Sequence, residues 1–502
     1  MDRRDFTRHL LGAAAGLTGV AAPWSALART PAPAARSIPW PRAFDGLQAD
    51  VPRRAMALRG RVPVALAGGV LLRNGPARHQ LGGVRTSHWF DGDGMIQRYA
   101  FGSQCITHEG RFVQTPKFVA ESAAGRWLEP AFGTHLKDAP PPPSPDEMNV
   151  ANTHIVAHGG ELLALWEGGS AMKRDADTLD ARGSKTWAPD YAGMPFSAHP
   201  RVEPDGTLWS FGVSSGAGVL SIYRVSADGR NVETHSLKVP DIGMLHDFAV
   251  TERHLVLLLP PFVYDIERAK AGETFLDSHV WRPSLGMRVL LLPKDELNAP
   301  RWLQLPAGFV FHLGNAWEDA QGLIRRDYVR SPDATLVLQG ARDLMRGAVD
   351  GNASVARVAC VRLDPASGNA RQEELPLDAE FPRIDPRRTG RRYRHVYPAE
   401  RVDAPLGRPL FDSVTRLDVD TGRVQRHRYG AGVLAEEHVF VPRPGSAREG
   451  EGWLIGSALD LQRGRLLCSV FDAEHLADGP IAQGHLERVM PMGLHASFIR
   501  RT

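Results

Sequence analysis

Short apolar or alternating runs, each broken by a glycine turn, recur along almost the whole chain after residue 29. A period of two interrupted by turn residues marks β-hairpins, because successive side chains of a strand point to opposite faces. His154 to Trp166 around Gly159-Gly160, Leu208 to Val239 around Asp228-Gly229 and Ser413 to Arg428 around Thr421-Gly422 read this way, and Val355 to Leu363 alternates before a turn at Ser367-Gly368. Long helical periodicity is scarce, so the expected class is all-β. About 470 residues of such strands exceed a sandwich, which needs only about 100, and fit a propeller, which closes several hundred residues into one unit. There is no WD or kelch repeat, so periodicity gives no blade number. The proline-rich segment Pro140 to Pro145 is expected to be an exposed loop inserted on one face, with strand patterning resuming at Asn149, so that residues 29–502 form a single domain.

Composition narrows the chemistry. A net charge of +3 rests on 60 basic and 57 acidic residues, too even a balance for a nucleic-acid surface. The three cysteines, Cys105, Cys360 and Cys468, are far apart and indicate neither a disulfide framework nor a zinc-thiolate site. A bound metal would need nitrogen or oxygen ligands, and the chain carries 19 histidines.

Residues 1–28 read as an address. A charged start is followed by the apolar run Leu10 to Ala22 and by Ala26-Leu27-Ala28, a small-residue cleavage pattern. The run is too short to cross roughly 30 Å of hydrocarbon. Arg3-Arg4-Asp5-Phe6 resembles a twin-arginine export signal, with an ordinary secretory signal as the alternative, so the export machinery is an expected partner and the protein is expected to be periplasmic or exported.

A histidine beside an apolar strand is more often a hydrogen-bonded structural residue than a ligand. Four stand in suggestive contexts: Ser197-Ala198-His199-Pro200, Leu245-His246-Asp247-Phe248, Phe311-His312 before Asn315-Ala316, and Gly493-Leu494-His495-Ala496. Their separations of 47, 66 and 183 residues exclude a local metal motif such as two ligands on one helix. In a propeller single residues from distant blades converge on the axis. Spacing alone does not decide between the two readings.

The surrounding residues do. Leu72-Arg73-Asn74-Gly75-Pro76, HWFDGDGM from His88, NVANTHIVAHGGELLALWEGG from Asn149, SAHPRVEPDG from Ser197, LHDFAVTE from Leu245, FHLGNAWED from Phe311, EFPRIDPR from Glu380, EHVFVPRPG from Glu437 and MGLHASF from Met492 follow one another as in the carotenoid cleavage oxygenase family. The chain resembles that family over nearly its whole length after the signal. The resemblance implies a seven-bladed β-propeller with a cap of loops and short helices over an axial iron(II), one per chain, held by His199, His246, His312 and His495. It further implies that Glu167, Glu380 and Glu437 accept hydrogen bonds from the outer ring nitrogens of His246, His312 and His495 respectively. Thr153 matches a residue whose methyl restricts an open coordination position, and Trp166 and Phe311 match walls of a substrate tunnel.

The activity so implied is cleavage of a C=C bond of a carotenoid or apocarotenoid with O2 to give two carbonyl products. Lignostilbene-type cleavage is the alternative within the family. A non-oxidative isomerase and an inactive propeller binding module are the rivals outside that chemistry. Exposed apolar residues on the cap would suit a peripheral membrane contact, whereas the basic stretch Arg383 to Arg394 reads as a structural loop. Two departures stand out: Ala496 where glycine commonly follows the histidine, and His438 where proline commonly follows the glutamate.

Overall fold

The computed structural model describes residues 40–136, 139, 144–348, 355–403, 411–430 and 432–500; the segment read as a signal, 1–28, lies outside them, as do 140–143 of the proline-rich stretch. Strands dominate, and three separate four-stranded sheets, a seven-stranded and a nine-stranded sheet together make the seven four-stranded antiparallel blades of a propeller, with two small hairpins besides. Blade I holds Val70–Arg78, Asp93–Phe101 and Ile106–Phe112, with the late strand Ala496–Ile499 on its inner edge. The inner strands of blades II to VII are His154–His158, Arg201–Val202, Phe248–Val250, Phe309–Glu318, the end of Asn369–Arg383, and Val433–Pro442.

Two long strands each serve two blades. Asn369–Arg383 pairs with Arg357–Asp364 of blade V through its first part and with His395–Glu400 of blade VI through its last. Val51–Gly60 pairs with Ile106–Phe112 of blade I and then with Ala482–Leu486 of blade VII. The ring is closed where Ala496–Ile499 pairs antiparallel with Val70–Arg73, so the two ends of the fold share a sheet.

The apolar cores lie between consecutive blades. His254–Leu259 shows why its sequence is a continuous apolar run: Leu255, Leu257 and Leu259 pack towards blade III, while Val256 and Leu258 pack towards blade V. A strand buried on both faces has no polar side to alternate. The hairpins read at Gly159-Gly160, Asp228-Gly229 and Thr421-Gly422 are present, the second within a three-stranded run that adds a turn at Ser215–Ala217. Strand structure resumes at His154 rather than Asn149, because Asn149 folds its side chain back onto the backbone of Ser170 and Ala151 and holds the segment out of a ladder.

Over one face lie the short elements of the cap. The helix Pro116–Ala124 starts on Thr115, whose hydroxyl accepts from the Phe118 amide at 3.0 Å, and stops at Gly125, whose φ of 64° an L side chain disfavours. A π-helical turn Leu336–Gly340 runs into the helix Ala341–Arg346, and Phe262–Tyr264 pairs with His279–Trp281 in a separate hairpin. Met244, Phe262, Phe309, Phe311 and Val337, with Phe90 and Phe132 packed against them, give the cap its own core.

Candidate metal centre and its cavity

Each of the four histidines is delivered by an inner strand. His199 and His246 lie two residues before the inner strands of blades III and IV, and His495 directly precedes that of blade I. His312 lies inside the inner strand of blade V, within the irregularity of pairing between Val310 and Leu313. All four are buried, and their ligand atoms lie within 4.8 Å of one another. Nε2 of His246 stands 3.0 Å from Nε2 of His199 and 3.1 Å from that of His312, which is 3.1 Å from that of His495.

Three carboxylates stand behind these rings. Nδ1–H of His312 donates to Glu380 at 2.5 Å, Nδ1–H of His495 donates to Glu437 at 2.9 Å, and Nδ1 of His246 lies against the carboxylate of Glu167. A carboxylate only accepts, so the proton on each ring is fixed at Nδ1 and Nε2 is left as a lone pair. Bulges aim two of the acids, with the pairing of the blade VI strand slipping between Glu380 and Arg383 and that of the blade VII strand between Ala435 and His438. Beside Glu380, Phe381 holds a φ of 55°, a left-handed conformation costly for a residue with a side chain, and its amide donates to Glu380 at 2.7 Å. Glu167 differs from the other two: its side chain is 33% exposed, towards the cavity, against 8% for Glu380 and 1% for Glu437.

The donor set fits a divalent cation. Lone pairs facing one another at 3.0–3.1 Å repel unless positive charge lies between them. Bonds of about 2.1 Å at right angles would put neighbouring nitrogens about 3.0 Å apart. Burial pushes the pKa of His199 and His495 well below the usual imidazole range, and the neighbouring imidazoles add to it, so both rings are neutral donors. On His246 burial again lowers the pKa, but the carboxylates of Glu167, Asp247 and Glu380 together outweigh it and the net shift is upward.

Residues 46–500 match the family described as Retinal pigment epithelial membrane protein. The chain belongs to this family, that of the carotenoid cleavage oxygenases. It is 28% identical over 475 residues to the apocarotenoid-15,15'-oxygenase of a Synechocystis strain, covering 88% of this chain and 92% of that one. To resveratrol cleavage oxygenase 1 of Aspergillus fumigatus it is 30% identical over 397 residues, covering 74% and 78%. The crystal structure of the cobalt-substituted Synechocystis apocarotenoid oxygenase superposes with a TM-score of 0.83 at 25% identity, covering 92% of this chain and 98% of that one.

Like other small-molecule sites, the centre of this carotenoid cleavage oxygenase opens into a cavity, here of about 380 Å³ under the cap. Trp166, Phe311, Phe90 and Phe132 line it, and so does Thr153, whose hydroxyl donates to the Asn152 side chain at 3.1 Å. Both departures from the family blocks are accommodated locally. His438 donates to the Glu436 carbonyl and accepts from Tyr429, each at 2.8 Å, while the Ala496 amide donates to Glu437 at 2.6 Å.

Sequence reasoning singled out none of the residues that hold the ligand segments in place. Arg73, fully buried in the LRNGP block, donates to the carbonyls of Leu494 at 2.8 Å and Glu437 at 2.5 Å. His154, directly after Thr153, donates to the Ala198 carbonyl at 2.9 Å and accepts from Ser497 at 3.3 Å. Asp247, adjacent to His246, meets Arg201 from the neighbouring blade. The one signal available was adjacency: each stands within a family block, beside or near a residue already named.

Proposed function

We propose that this protein is an iron(II)-dependent dioxygenase that cleaves a C=C bond of an apocarotenoid or carotenoid, giving two carbonyl products. Iron(II), held by His199, His246, His312 and His495, supplies the activation of dioxygen that no side chain offers. Glu167, Glu380 and Glu437 keep three of the rings in the tautomer that presents Nε2 inward. Thr153 restricts the approach to the centre, and Trp166 and Phe311 give a flat conjugated chain apolar walls while excluding water.

The observation that carries the substrate class is the lining of the cavity. Among the described residues that line it there is no lysine, arginine or tyrosine. Asp91, Asn152, Ser197 and Glu380 direct their polar groups at protein partners. A carboxylate end buried there would find no cation and would face the partly exposed carboxylate of Glu167, at a cost of several kcal/mol, whereas the hydrocarbon stretch of a polyene asks for no partner. Cleavage of a hydroxystilbene is the second reading, favoured by the similarity to the resveratrol cleavage oxygenase.

Incubating the iron-loaded protein with apocarotenoids, carotenoids and hydroxystilbenes, and identifying products by mass, tests both. Two carbonyl fragments from an apocarotenoid are expected. A single isomerised product would mean an isomerase, turnover of stilbenes alone would establish the second reading, and purified protein that retains no metal would point to a binding module. Full activity with zinc would overturn the oxygenase reading, since zinc has no redox chemistry to offer dioxygen. Export through the signal at residues 1–28 belongs to the same proposal, and folding before export would let the chain take up iron in the cytoplasm.

A further inference from the structure

Three of the four candidate ligands, His199, His246 and His312, come from three consecutive blades, and no backbone hydrogen-bond ladder joins their inner strands. Something else must fix their spacing to the tenths of an ångström that a metal requires. At that junction Asp247, 2% exposed, directly follows His246, and Arg201, 17% exposed, follows His199 by two residues. The Asp247 carboxylate accepts from the amides of Phe248 at 2.7 Å and Leu313 at 2.8 Å. It also accepts from Nη2 of Arg201 at 2.8 and 2.7 Å. Arg201 reaches on to the carbonyls of Phe248 at 2.7 Å and Leu313 at 3.0 Å. One guanidinium and one carboxylate thus grip the residue after Asp247 in blade IV and the residue after His312 in blade V, with Arg201 rooted beside His199 in blade III.

We propose that Arg201 and Asp247 are positioning residues, a clamp that sets the relative placement of the three ligands; this rests on the reading of the four histidines as a metal site. His495 lies outside it, because its segment is held by Arg73 and Glu437. The planar fork of arginine is suited to the task, since each N–H has a fixed direction and a carboxylate offers matching lone pairs. Asparagine at position 247 keeps the shape but turns an amide NH2 towards a donor that the carboxylate had satisfied.

The test uses the full chain and cobalt(II) or iron(II), added anaerobically to metal-free protein, with three readouts: metal affinity, the visible absorption bands of bound cobalt, which report ligand geometry, and the melting temperature. Asp247→Asn and Arg201→Met should each lose roughly 10- to 100-fold in metal affinity, the scale of changes just outside a ligand shell, and should shift the cobalt bands. The double variant discriminates a clamp from a merely structural pair. Arg201→Met alone strands a buried carboxylate, and Asp247→Asn added to it removes that charge, so the melting temperature should recover. Metal affinity should not, because the directional bonds are still missing. Recovery of both together, or single variants that bind metal as the parent does, would overturn the clamp. Arg98→Met, which breaks the pair with Glu109 on the outer strands of blade I, should lower the melting temperature and leave metal affinity alone; equal loss of affinity there would also overturn it. Failure of the parent chain itself to bind metal would overturn the metal reading and the clamp with it, whereas a parent that binds, a His246→Ala that does not and an unaffected Asp247→Asn would refute the clamp alone.

Discussion

A glutamine can stand in for a glutamate with little loss only where one carboxylate oxygen does all of the accepting. At Glu380 a single oxygen, Oε2, accepts from both His312 and the Phe381 amide. At Glu437 the two oxygens divide the work, Oε1 taking His495 and Oε2 the Ala496 amide. Glu437→Gln therefore turns an NH2 against an N–H in a fully buried place, and Glu380→Gln need not. Supporting residues of this kind typically account for roughly 10- to 100-fold in metal affinity or activity. Glu437→Gln is expected at the upper end of that range and Glu380→Gln below it, as iron per chain and turnover would show. His246→Ala, His312→Ala and His495→Ala should lose iron and turnover altogether, whereas His158→Ala and His279→Ala, whose rings bond the carbonyls of Gly206 and Phe275, should keep the metal. Full iron in His312→Ala, or lost iron in His158→Ala, would mean that the ligands are other residues.

At the scale of single elements, what alternation could reveal and what it could not are physically distinct. The hairpins around Gly159, Asp228 and Thr421 were legible because a tight turn needs glycine and an exposed strand alternates. The site was not legible that way: His199, His246 and His495 sit in coil just ahead of their strands, and His312, Glu380 and Glu437 sit at bulges where the period of two breaks. Only the family blocks marked them, and the same blocks were silent on Arg201 and Asp247, whose role depends on contacts between blades. The cap carries its own test. Burial raises the pKa of Asp91 to about 6, although Thr134 and the Gly133 and His88 amides, which hold it, pull the other way. A folded-state pKa above the unfolded value contributes stability below about pH 4 that is lost as pH rises through about 6. The melting temperature of the parent minus that of Asp91→Asn, which cannot titrate, should fall between these pH values; a difference that rises or stays flat would contradict a buried, proton-holding Asp91.

On the scale of the whole molecule, the chain is expected to leave the cytoplasm folded. Replacing Arg3 and Arg4 by lysine should retain the precursor inside the cell, and undiminished export of that variant would favour a general secretory route. Folding and metal uptake are coupled by the way the ring is built. The four candidate ligands come from blades I, III, IV and V, and His495 stands at the strand that closes the ring against Val70–Arg73. A cation bound by all four exists only in the closed ring, so it stabilises the native state by mass action, about 2.7 kcal/mol at a free concentration 100 times the dissociation constant. Calorimetry of the parent should show a higher melting temperature with iron(II) or cobalt(II) than with excess chelator. His495→Ala should melt at the same temperature under both conditions, because removing the ligand at the closing strand uncouples the metal from the ring. If that variant gained as much from metal as the parent, the cation would be bound elsewhere, and the axial site would not be what ties the last strand of the propeller to the rest.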